Sequence, residues 1–179
     1  LHCWKTINIK REYGSTWLTI MSALLFVLVF AFSFVLLEDI PPMTYEDNYL
    51  WLFVFLFLLI YPLHKVLHYV TLFKYRDSVK LRFKIDYKFV PIIRMRIKSI
   101  IPKKRYLFTL LAPFFIINGF LIFMAIAFEE YAHFYCLLFA YHCSICFIDL
   151  LYVKNLLKAP KDSLIEETPK GCEVLVPEI

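Results

Sequence analysis

Residues 17–37 read WLTIMSALLFVLVFAFSFVLL, 21 positions without a charged side chain. A helix needs roughly 20 apolar residues to cross the hydrocarbon core of a bilayer. Three further stretches have the same character. Tyr49 to Leu63 is uncharged and runs on as HKVLHYVTLF to Phe73. The next covers Tyr106 to Phe128, and the last runs from Tyr131 to Ile148 and past Asp149 to Val153. None alternates apolar and polar residues, so strand barrels are excluded. Backbone groups in lipid must then be satisfied within helices.

The whole chain agrees. It has 179 residues, of which 61% are hydrophobic and 19% aromatic. Soluble domains are roughly half apolar, so an ordinary soluble enzyme is excluded, as are a disordered chain and a coiled coil. The expected fold is an all-α polytopic membrane protein, a single membrane domain over 1–179 with spans at about 17–37, 49–72, 106–128 and 131–153. Aromatic rings near the span ends, such as Trp17, Trp51, Tyr106 and Tyr152, suit the lipid–water interface. The first span is too long for a signal-peptide core and no small-residue cleavage site follows it, so no cleaved leader is expected.

Charge sets the expected orientation. The N-terminal arm carries Lys5, Lys10 and Arg11, and the first loop carries Glu38, Asp39, Glu46 and Asp47. The second loop, 74–105, holds twelve Lys and Arg against Asp77 and Asp86. The third loop has only Glu129 and Glu130, and the tail, 154–179, opens with Lys154, Lys158 and Lys161. Basic loops stay in the cytoplasm. Both termini and the second loop are therefore expected inside.

Within that loop, Val79, Leu81, Phe83 and Ile85 alternate with Lys80, Arg82 and Lys84. Ile93, Met95 and Ile97 alternate with Arg94, Arg96 and Lys98. Period two predicts strands, hence a small cytoplasmic β-hairpin between helices 2 and 3, with one cationic face. Residues 173–176 are a candidate third strand. The basic face either serves topology alone or lies on anionic lipid headgroups, at about 1 kcal/mol per base near the surface. A nucleic-acid partner is not expected: no binding module is visible, and the formal net charge is only +5.

Ionisable groups inside spans are costly, so each is a functional candidate. The second span carries His64-Lys65-Val66-Leu67-His68 just after Pro62. Histidines at i and i+4 share one helix face, one turn apart. The fourth span carries Asp149 at its cytoplasmic end, and the topology puts it at the depth of His64 and His68. Two histidines and a carboxylate are the ligands of an open zinc site. His64, His68 and Asp149 are thus the candidate metal ligands, with zinc the expected cofactor and iron or manganese compatible. His142, seven residues before Asp149, is a further candidate. The competing reading has these histidines at the interface and Asp149 paired with Lys65 or Lys154. Cys143 and Cys146 lie within a span and read as small buried hydrophobes.

The segments HCWKTINIKREYG, YPLHKVLHYV, LLAPFFIINGF and DLLYVKNLLKAPKDSLIEE together resemble a bacterial membrane-protein family of unknown function described as zincin peptidases. The likeness covers nearly the whole chain. More distantly, the chain is similar to site-2 type intramembrane metalloproteases, which carry His-Glu-x-x-His on one span and an aspartate on a later one. The resemblance implies a bacterial plasma-membrane protein. It matches His64 and His68 to the paired histidines and Asp149 to the later aspartate, and carries no role to Asn118. It departs at Lys65, which replaces the glutamate that serves zincins as general base. Catalytic residues are therefore not assigned, although Glu166 or Glu167 in the tail could supply a carboxylate. Two functions stand at this point. One is a metallopeptidase-like zinc protein with a possible membrane-protein client, catalytically degenerate if Lys65 is not replaced in function. The other is a non-enzymatic interaction or lipid-surface module with a structural His/Asp cluster. No internal repeat is visible, which disfavours an inverted-repeat transporter.

Overall fold

The computed structural model describes residues 1–38, 45–73, 75, 79–86, 90–97, 99–168 and 171–177, with backbone alone at 37–38, 79–86 and 90–97. Four helices among them are long and apolar enough to cross a membrane. They are α2 (Ser15–Glu38), α3 (Leu50–Thr71), α4 (Lys103–Ala127) and α5 (Ala132–Leu157). A short α1 (Ile9–Tyr13) precedes them. Gly14, at φ +79°, separates α1 from α2, the left-handed residue that commonly ends a helix. The protein is a multi-pass membrane protein.

The chain divides into two compact units. One comprises Gly14–His64 and Pro113–Ile148 and contains only helical segments and their connections. Its α3 and α5 run in the same direction, joined by ring contacts between Phe53 and Phe134 at 4.9 Å and between Phe57 and Tyr141 at 3.9 Å. Large apolar side chains here face outward: Phe32, Trp51, Leu58 and Ile126 are each more than two-thirds exposed, at 69%, 68%, 67% and 69%. Such surface suits lipid as solvent, not water.

The other unit comprises Leu1–Tyr13, Lys65–Ala112 and Asp149–Ile179. It is built on a four-stranded sheet in the order β1-β6-β5-β4. The strands are β1 (His2–Ile7), β4 (Ile101–Pro102), β5 (Leu164–Thr168) and β6 (Gly171–Val176), all paired antiparallel. Ile7, Ile101, Ile165, Cys172 and Val174 are essentially inaccessible and form its core. Each such aliphatic side chain contributes about 1.5–3 kcal/mol on burial. Gly171, at φ +138°, lies against Ile7, whose carbonyl oxygen a Cβ would strike.

This sheet corrects the expected fold class. The protein is not an all-α polytopic chain whose one small β-hairpin lies between helices 2 and 3. The hairpin that builds the sheet, β5–β6, lies C-terminal to the fourth long helix, and the N-terminal arm joins it as β1. Residues 173–176 belong to β6 and pair with β1 and β5, not with the second loop. The reason is that β1 and β6 pair across nearly the full chain length, and nothing local to either strand marks so distant a partner. Backbone strands β2 (Val79–Asp86) and β3 (Val90–Ile97) form a separate two-stranded sheet. The cationic face expected there concerns side chains outside the described residues.

Candidate metal centre

Helix α3 carries His64 and His68 one turn apart, and both are buried. In the helical unit, His64 Nδ1 lies 3.1 Å from His142 Nε2 on α5. Cys146, one turn beyond His142, puts its Sγ 3.5 Å from His142 Nε2 and 3.8 Å from His64 Nδ1. One donor atom from each of His64, His142 and Cys146 lies within 4.8 Å of the others, a grouping able to hold a metal ion. His142 is oriented by Asn118 of α4, whose Oδ1 accepts from His142 Nδ1 at 2.7 Å. The Asn118 amide nitrogen in turn donates to Cys143 Sγ at 3.5 Å.

In the sheet-bearing unit, His68 Nε2 lies 3.3 Å from Asp149 Oδ2. Its other nitrogen, Nδ1, lies 2.9 Å from the backbone oxygen of Thr109. A carbonyl only accepts, so Nδ1 carries a proton, and Nε2 is the nitrogen turned to Asp149. That carbonyl is available for a sequence reason. In a helix it would accept from the N–H of residue 113, and Pro113 has none. Thr71, whose hydroxyl donates to the carbonyl of His68 at 2.9 Å, closes the end of α3. Arg105 donates to the Thr71 carbonyl, as basic side chains commonly do at helix C-termini.

A family model described as "Putative zincin peptidase" matches residues 57–164. The chain belongs to this family. No curated protein and no solved structure matches it. The matched region holds both histidines of α3, Asn118, His142, Cys146 and Asp149.

Within the family region, His68 is brought to Asp149 and His64 to His142. Lys65 is half-buried. Of the two tail glutamates, Glu167 accepts the Tyr106 hydroxyl at 2.8 Å. Sequence reasoning gave no role to Asn118 and none to Cys146 beyond packing. Spacing held the signal for Cys146, since residues 142, 146 and 149 fall on one face of a helix. For Asn118 the only signal was a buried amide amid apolar residues.

Proposed function

We propose that the protein is an integral membrane metallopeptidase-like protein that holds zinc through His64, His68 and Asp149 and has lost most of its peptidase activity. The observation that carries this reading is the geometry at His68. Its Nδ1 is committed to the Thr109 carbonyl, which turns Nε2 to within 3.3 Å of a carboxylate oxygen of Asp149. Two electron-rich atoms so placed require a cation or a shared proton. An outer hydrogen bond that fixes the tautomer is the usual support of a metal-bound histidine. The helical spacing of His64 and His68 supplies a second imidazole on the same face of α3.

The donor set fits zinc: two neutral imidazoles and a carboxylate leave a fourth position open. Zinc bound there would polarise a peptide carbonyl and make a water acidic enough to attack it. The chain's own residues then explain the loss of activity. Lys65 stands where a zincin has its glutamate base, and an ammonium group cannot accept a proton. Losing a general base costs about 10²–10⁴-fold. Such a site retains a transmembrane client's peptide without cutting it efficiently.

The charge pattern supports an orientation with both termini in the cytoplasm and the site toward that face of a bacterial plasma membrane. The basic residues of 74–105 then meet anionic headgroups. The test is zinc content of the detergent-purified protein beside His68→Ala and Asp149→Ala, together with cleavage of a transmembrane peptide. Zinc in the parent, one ion per chain fewer in both variants, and weak cleavage are expected. Zinc unchanged in either variant, or cleavage at the rate of a zincin with its glutamate, would overturn the reading.

A further inference from the structure

We propose that His64, His142 and Cys146 form a second, thiolate-containing metal position for a thiophilic d10 ion such as zinc or cuprous copper. All three are at most 1% exposed. Their donor atoms are separated by 3.1, 3.5 and 3.8 Å. Metal–nitrogen bonds near 2.05 Å and a metal–sulfur bond near 2.3 Å at tetrahedral angles give edges of about 3.3 Å between nitrogens and about 3.6 Å from nitrogen to sulfur. The cluster is thus spaced as ligands around one ion, with adjustments of a few tenths of an ångström.

The protons agree. The Asn118 amide is oriented by two contacts, as acceptor from His142 Nδ1 and as donor to Cys143. His142 therefore carries its proton on Nδ1, and its Nε2 lone pair faces His64 and Cys146. This is the outer-shell arrangement of a ligating histidine. Thiolate plus imidazole selects softer ions than imidazole plus carboxylate. Loading converts the Cys146 thiol to thiolate, and its proton leaves to solvent.

The position shares His64 with the proposed His64–His68–Asp149 set but does not rest on that reading. His64→Ala would remove ligands from both and cannot separate them. The test is cobalt(II) titration of the detergent-purified full chain, following the near-ultraviolet thiolate-to-metal charge-transfer band. The band is expected in the parent, in His68→Ala and in Asp149→Asn. It is expected to vanish in Cys146→Ser, a near-isosteric change, and in His142→Gln. Asn118→Leu is expected to keep the band but weaken cobalt binding about 10–100-fold. Absence of the band in the folded parent, or its survival in folded Cys146→Ser, would overturn the proposal.

Discussion

His68 Nδ1 lies 2.9 Å from the Thr109 carbonyl oxygen, the one carbonyl of α4 that Pro113 deprives of its helical partner. A residue that weakens a helix thereby aims a histidine on a neighbouring helix. Helix-interior proline normally costs about 3 kcal/mol, and here the freed acceptor is used.

Replacing Pro113 by alanine should return the Thr109 carbonyl to its helix. Thermal stability in detergent should rise, while zinc affinity should fall about 10–100-fold, as for loss of an outer-shell partner. Competition with a chelator of known affinity measures the second effect. Unchanged affinity in the stabilised variant would separate Thr109 from the site.

Lys65→Glu restores the zincin pattern on α3. With zinc retained, cleavage of a transmembrane peptide should rise about 10²–10⁴-fold over the parent. No gain in a zinc-loaded variant would show that more than the base has been lost.

Gly171→Ala should destabilise the sheet. Its φ of +138° strains any side chain, and a Cβ would meet the Ile7 backbone oxygen. Backbone strain alone costs about 1–3 kcal/mol. Lower expression and faster proteolysis of the N-terminal arm are the expected readouts.

Lys103 is buried and donates through Nζ to the Ala159 and Pro160 carbonyls just past α5. Lys103→Met should cost about 1–3 kcal/mol by leaving these acceptors unpaired, seen as a lower melting temperature in detergent.

Burial pushes the Cys172 thiol up to about 12, and nearby Glu167 adds to the effect. The folded state holds this proton more tightly than the unfolded chain, whose thiol titrates near about 8.5. The resulting stabilisation is full below that value and is lost as pH rises toward about 12. A thiol reagent at neutral pH should label exposed Cys3 and reach buried Cys172 only when the sheet opens.

The four long helices were legible because bilayer thickness forces uninterrupted apolar runs such as Trp17 to Leu37. His64 and His68 were legible because helical spacing is written locally. The four-stranded sheet was not. His2–Ile7 pairs with residues 172–176, and nothing in HCWKTI marks a partner so distant in sequence. Cys146 was read as a packing residue because a thiol in an apolar run looks the same whether it faces leucine or imidazole. Asn118 and the Thr109 carbonyl were hidden for a related reason: one takes its meaning from α5, the other from a proline four residues on.

The most direct test of the central claim is zinc per chain in the purified parent, His68→Ala and Asp149→Ala, each confirmed folded by circular dichroism. One zinc per chain fewer in each variant than in the parent is expected. An unchanged zinc count in either one would contradict the assignment.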